Sequence, residues 1–177
     1  MEKVLLHVCC GICLSYPIQK LRDDGYGVTC FFYNPNIEPK EEYDKRLAVA
    51  QGACRLLGVE LLAGPYDNAV WREAVKGLEQ ESEGGKRCAA CYRMRLEYVC
   101  NKARELGIGF FASTLSVSPH KNVAAVNSAG SFLEPRSFLS YDFKKQDGFK
   151  KTQAFAREHE FYRQNYCGCL FGKRAGL

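Results

Sequence analysis

Apolar positions along this chain follow two rhythms. Short, largely apolar runs at residues 4–8, 28–33, 59–62 and 110–113 have the length and the aliphatic or aromatic content of buried strands. Between them, apolar residues recur at three- and four-residue steps. Residues 15–24 carry Pro17, Ile18 and Leu21 and stop at Gly25; residues 41–57 carry Tyr43, Leu47, Ala50, Ala53, Cys54 and Leu57 and stop at Gly58. Residues 88–106 set Cys91, Arg95, Tyr98 and Lys102 on related turns and stop at Gly107. Further helices are predicted over 71–78, 123–129 and 151–165, with a polar stretch at 79–86 and a loop at 116–122.

Strands alternating with helices predict an α/β fold, a parallel sheet flanked by helices. Such sheets bind ligands beyond the carboxyl ends of their strands. Cys9 and Cys10 fall at the end of the first strand, Asn34 at the end of the second, and Thr114 and Ser116 at the end of the fourth. The segment 64–109 would bring Cys88 and Cys91 over that rim at a helix start, where the helix dipole favours a thiolate.

Length and composition narrow the picture. With 177 residues, 46% of them apolar, one core suffices. The expected organisation is a single α/β domain over 1–177 with a C-terminal helical tail from about 151 to 177. No stretch approaches the roughly 20 apolar residues of a membrane helix. The N-terminus enters a strand with no basic-then-apolar leader, so a cytoplasmic location is expected. Ten cysteines in a reducing compartment point to metal binding or catalysis rather than a disulfide framework. The net charge of +5 is concentrated: residues 86–104 hold six Lys/Arg against Glu97 alone, and residues 144–177 hold eight against three acids. Both basic segments adjoin a cysteine pair, which fits a polyanionic substrate as well as an ordinary solvated helix face.

Seven cysteines sit in three short segments, Cys9-Cys10-Gly11-Ile12-Cys13, Cys88-Ala89-Ala90-Cys91 and Cys167-Gly168-Cys169. Thiolates select iron–sulfur clusters, zinc or Cu(I). Cys9, Cys10, Cys88 and Cys91 supply the four thiolates of a zinc site or a four-cysteine cluster. Adjacent side chains diverge from extended backbone, which suits a cluster better than one small ion. Cys13 is a surplus thiolate and a candidate additional metal ligand. Cys167 and Cys169 make a poor clamp on one metal, but their spacing permits a strained, reducible disulfide. Cys30, Cys54 and Cys100 lie inside regular elements and read as buried, inert thiols. His7 reads as a packed, hydrogen-bonded residue. His120 sits in a loop at a strand end, open to substrate. No Gly-rich dinucleotide motif, phosphate-loop lysine motif or flavin signature occurs.

Five motifs in order resemble one family, the epoxyqueuosine reductases of the QueH type. They are His7-Val8-Cys9-Cys10-Gly11-Ile12-Cys13, Arg87-Cys88 through Leu96, Thr114 through Lys121, Asp142-Phe143-Lys144-Lys145 with Gly148, and Tyr162 through Cys169. Two details depart from the family's usual pattern: Gly11-Ile12 replaces an Ala-Pro-like pair, and Phe171-Gly172 follows the last cysteine pair where a Ser is usual. The resemblance implies an adenine nucleotide α-hydrolase-like (PP-loop-like) fold, in which the 9–13 loop replaces a phosphate loop. It implies reduction of the epoxide of epoxyqueuosine to the alkene of queuosine at the tRNA wobble position, without flavin or cobalamin. Two electrons and two protons are consumed and water is released, so an external electron donor is required. The expected centre is a [4Fe-4S] cluster on three or four of Cys9, Cys10, Cys88 and Cys91, with either an additional adjacent iron or a cluster iron with an open position to hold the oxygen, and Cys13 as a candidate further ligand. A redox-active Cys167–Cys169 disulfide is expected as an electron relay. Asp142 or His120 would supply a proton or help bind metal. Arg93, Arg95, Lys144 and Lys145 would meet RNA phosphates, and Tyr92, Phe143 or Tyr166 would stack an anticodon base. Two alternatives stay open: an iron–sulfur-dependent tRNA sulfur-transfer enzyme, and a non-catalytic, zinc-stabilised RNA-binding module.

Overall fold

The computed structural model describes residues 1–172. Four parallel strands run β1 (Lys3–Val8), β2 (Gly27–Phe32), β3 (Leu61–Ala63) and β4 (Phe110–Ser113), in the spatial order β3-β2-β1-β4. Leu6 of the central strand pairs Cys30 on one side and Ala112 on the other. That centrality explains the unbroken apolar run of β1: Val4, Leu5, Leu6 and Val8 are all buried, as is His7.

The helices are α1 (Ser15–Asp23), α2 (Lys40–Leu56), α3 (Asn68–Ala74), α4 (Lys86–Glu105), α5 (Val123–Leu133) and α6 (Gly148–Glu158). Alternation along β2 shows how they divide between the two faces. Phe31 and the following Tyr33 stack on Tyr98 of α4, whereas Phe32 packs edge-on against Tyr43 of α2. Strand order reverses between β1 and β4, so a switch point opens where those two strands end.

The predicted elements stand, with shifted limits. α3 starts and ends earlier than residues 71–78 because Asp67 caps it, accepting from Ala69 and Val70 N–H. α5 extends past 129 to Leu133. Part of the expected 116–122 loop belongs to a 3-10 turn, Thr114–Val117, capped by the Ser113 hydroxyl. The expected C-terminal helical tail needs correcting. α6 closes at Glu158, and Glu160 takes a positive φ of 52°, which turns the chain out of helix. Residues 161–169 return as irregular chain, Leu170–Gly172 form a short 3-10 turn, and residues 173–177 lie outside the described residues. Among the described residues, no helix is long and apolar enough to cross a membrane.

The loop after β1 is pressed onto α2. A Cβ built on Gly11 would lie 2.5 Å from the Ala50 nitrogen and 2.6 Å from the Val49 carbonyl carbon, both backbone atoms. Glycine lets the cysteine loop sit that close.

Candidate metal and substrate site

The Cys9-Cys10-Gly11-Ile12-Cys13 loop leaves β1 at the switch point and curls into the 3-10 turn Gly11–Cys13. This folds the three thiols together: the sulfurs of Cys9, Cys10 and Cys13 lie within 4.8 Å of one another and all three residues are buried. It is the one such trio of metal-ligating side chains among the described residues. The β4 end closes on it. The Thr114 hydroxyl accepts from the Cys9 backbone N–H (3.0 Å) and donates to the Cys9 sulfur (3.3 Å).

Three buried thiols this close do not ionise independently. Hydrogen bonds from Cys10 and Cys13 hold Cys9 well below the usual thiol range, against the opposing effect of burial and with help from Lys121 and Arg95. Cys13 is pushed up by its two neighbours and by burial. At Cys10, the Cys13 thiol acts to lower the value, but Cys9 and burial carry it up to about 12. The loop therefore favours the thiolate at Cys9 over its two neighbours. Deprotonated and gathered, the set can hold a soft metal.

Cys88 and Cys91 sit in the first turns of α4. The Gly84 N–H donates to the Cys88 sulfur at 3.2 Å, while burial pushes that thiol up. Cys91 packs with Trp71, Val75 and Cys169. These two α4 cysteines do not join the close trio; with Cys167 and Cys169 they line a small enclosed cavity of about 30 Å³. An adjoining, much larger cavity of about 520 Å³ is lined by Cys9, Cys10 and Cys13. Arg95, Lys121 and Cys167 line both. The two thiol groups thus face one another across two cations. Burial alone would lower the Lys121 value, yet the surrounding Cys9, Cys167, Cys13 and Cys10 raise it, so Lys121 stays charged.

His7 anchors this arrangement from below. Its Nε2 faces the Tyr33 carbonyl at 3.1 Å, so Nε2 donates and Nδ1 accepts from the Ser113 hydroxyl at 2.8 Å. Burial, then the nearby Arg95, push its pKa down to about 3, and the ring stays neutral. Arg95 continues the chain of contacts to the Asn34 side-chain oxygen and to the Cys91 sulfur at 3.8 Å, while Asn34 donates to the Val8 carbonyl at 2.9 Å. The ends of β1 and β2 and the start of α4 are thereby tied together.

The returning segment delivers the last cysteines. Arg46 of α2 is 2% exposed; it pairs with Glu42 at 2.7 Å and donates to the carbonyls of Tyr166 and Cys167, each at 3.1 Å. Gly168 adopts φ 111° against Ile37, and its carbonyl accepts the Glu38 N–H. The disulfide expected between Cys167 and Cys169 is not formed: all ten cysteines are free. The Cys169 thiol lowers Cys167 to about 6 despite burial, and Cys169 itself is pushed up.

Other expected site residues are placed as follows. His120 is exposed on the rim of the larger cavity. Asp142 lines neither cavity, and its carboxylate accepts the Lys144 N–H in a turn. Arg95 is 3% exposed, so it faces the thiols rather than solvent phosphates. Arg93 and Lys145 are exposed, Arg93 lying over the Phe132 ring; Lys144 is half-buried against the Lys121 carbonyl. Phe143 and Tyr92 are buried, the former stacked on Tyr141, and Tyr166 is half-buried beneath the Arg46 guanidinium. Sequence reasoning passed over Lys121, Arg46 and Trp71 as functional residues. Lys121 ends the third motif and carried that signal; Arg46 and Trp71 lie within helical stretches and carried none.

The family model described as "Epoxyqueuosine reductase QueH" matches residues 4–175. The chain is 37% identical over 180 residues to the epoxyqueuosine reductase QueH of Streptococcus pyogenes serotype M1, covering 97% of this chain and 70% of that one. It is 35% identical over 177 residues to that of Thermotoga maritima, covering 97% and 90%. Two solved structures share the fold at 14% identity. A predicted subunit of tRNA methyltransferase from Methanocaldococcus jannaschii superposes with a TM-score of 0.61, covering 89% of this chain and 75% of that one. The U34-tRNA thiolase NcsA from Methanococcus maripaludis, with its [4Fe-4S] cluster, superposes with a TM-score of 0.54, covering 98% and 62%. The sheet therefore has the PP-loop-like fold, and the chain belongs to the QueH family of epoxyqueuosine reductases.

Proposed function

We propose that the protein reduces the epoxide of epoxyqueuosine in tRNA to the alkene, using an iron–sulfur centre held at the switch point and electrons from an external donor, with neither flavin nor cobalamin. The observation that carries the proposal is the convergence of seven thiols from three distant segments around Arg95 and Lys121. A structural zinc needs four ligands; seven thiols are a surplus that a redox centre explains.

Cys9, Cys10, Cys88 and Cys91 are the proposed cluster ligands, with Cys13 as a further ligand. Such a [4Fe-4S] cluster, with an additional adjacent iron, supplies two electrons one at a time and a Lewis acid for an oxygen. The protein's own groups do the rest. Arg95 and Lys121 offset the charge of the gathered thiolates. Thr114 orients Cys9, and His7 keeps the strand ends fixed without competing for protons. The cavity of about 520 Å³ has room for a modified base and its cyclopentane ring, with Gln164, Asn165 and Arg163 at its rim. We assign the inward proton transfer to His120, supported by its position in the cavity lining; Asp142 lines neither cavity. Arg93 and Lys145 are the exposed cations left to meet phosphates.

The test is mass analysis of tRNA nucleosides after anaerobic incubation with reduced, iron- and sulfide-reconstituted protein. Loss of one oxygen from epoxyqueuosine is expected, with at least four irons per chain. A colourless protein holding one tightly bound zinc, and no change in the nucleoside, would sink the proposal.

A further inference from the structure

Among the described residues, five buried side-chain polar atoms have no hydrogen-bond partner: the Ser15 hydroxyl, Asn36 Oδ1, Trp71 Nε1, Arg87 Nε and Arg95 Nε. Four of these five belong to residues that line one cavity, the small one beside Cys88, Cys91, Cys167 and Cys169. Unpaired buried polar atoms are rare and costly, and a cluster of them marks a missing partner. Three of the four are N–H donors, so that partner must accept hydrogen bonds.

Trp71 is the most telling of them. It is 1% exposed, and Trp71 is the one buried residue of α3. Its ring packs on Cys91 and Cys169. The two arginines spend other N–H groups on carbonyls of Glu79 and Glu81 and on Asn34. The indole has a single polar atom, and that atom is a donor only. No described residue satisfies it, and the cavity that Trp71 lines is also lined by Cys88, Cys91, Cys167 and Cys169, beside Asn36 and Glu83.

We propose that Trp71 is a positioning residue of the metal centre: its indole N–H donates to a sulfur of the iron–sulfur group bound beside Cys91 and thereby sets that group's reduction potential. The inference rests on the cluster reading above. A hydrogen bond to a cluster or thiolate sulfur favours the more negative, reduced form and raises the potential. The couple is one-electron: the oxidised cluster takes one electron from the external reductant that the reaction already requires.

The chain contains one tryptophan, so the N–H can be removed at a single site in two ways. Trp71→Phe shortens the ring. Growth of a tryptophan auxotroph on benzothienylalanine replaces N–H by sulfur while keeping the indole shape. Both proteins are reconstituted anaerobically beside wild type, and iron content and the midpoint potential are measured by redox titration followed by electron paramagnetic resonance. Iron per chain should match wild type. The midpoint should move to more negative potential, by about a tenfold change in the reduced-to-oxidised ratio at fixed poise, which is ~59 mV for a one-electron couple. If the benzothienyl protein loads iron normally and keeps the wild-type midpoint, Trp71 only packs and the inference is wrong. Failure of wild type itself to load iron would overturn the cluster reading first, and this inference with it.

Discussion

Replacing Arg46 by methionine should loosen the C-terminal segment from the site while leaving the sheet intact. Methionine keeps the length of the apolar stem and removes the guanidinium. Three interactions are lost: the pair with Glu42 at 2.7 Å and the two bonds to the Tyr166 and Cys167 carbonyls. Removing one partner of a buried pair costs about 3–5 kcal/mol, because the other charge is left stranded. Glu42 is 7% exposed and keeps a hydrogen bond from the Tyr162 hydroxyl at 2.8 Å, which favours the lower end. The two carbonyls add little if the segment lifts and water reaches them. A loss of about 3 kcal/mol follows, which for a chain this long lowers Tm by about 6–12 °C. Urea denaturation of the reduced, metal-free protein gives the first number. Peptide-resolved alkylation gives the second readout: Cys167, half-buried with its pKa near 6, should react faster in the variant at neutral pH. A loss below about 1 kcal/mol, or unchanged Cys167 alkylation, would refute the view that Arg46 seats this segment.

Other outcomes follow from the same geometry. His7 has a folded pKa near 3 against 6.5 unfolded, so the unfolded chain gains the proton first as pH falls. Stability present above pH 6.5 is lost progressively toward pH 3; between pH 7 and 5 this amounts to about 2 kcal/mol in urea titrations, a difference that His7→Gln should remove. Cys169→Ala removes the donor that holds the Cys167 thiolate, so the pH midpoint for Cys167 alkylation should rise well above 6; an unmoved midpoint would mean that Lys121, not Cys169, sets it. Cys91→Ala should abolish the visible absorption of reconstituted protein and its iron, whereas Cys100→Ala should change neither. Removing Arg93 or Lys145 should each reduce the slope of log affinity for tRNA against log salt by about 0.7–0.9, and Arg95→Gln should not.

The strand runs and helix periods were legible because the core is regular. The parallel sheet and the position of the 9–13 loop at its carboxyl end follow from short apolar strands broken by glycine-stopped helices. What sequence could not reveal is which cysteines meet. Cys13 joins Cys9 and Cys10 because a 3-10 turn, not an extended strand, follows β1. Cys167 and Cys169 come over Cys88 and Cys91 because one arginine on α2 holds two carbonyls 120 residues away, a contact with no local signature. Arg95 misled for a similar reason. In a basic stretch it read as a phosphate contact, yet its position on the inner face of α4 turns it toward Asn34 and Cys91.

Gly11 carries a consequence for how this chain can vary. The family's usual loop has an Ala-Pro-like pair where this one has Gly11-Ile12. An alanine methyl at position 11 would collide with the main chain of Val49 and Ala50, and main chain cannot rotate aside as a side chain can. Transplanting the commoner loop into this protein would therefore push α2 outward. α2 also holds Arg46, so the displacement would be felt at Cys167, on the far side of the site. Loop and helix form a matched set: a substitution at position 11 is tolerable only with a compensating change in α2, and a chimera that swaps one without the other should lose the proposed metal centre before it loses the sheet.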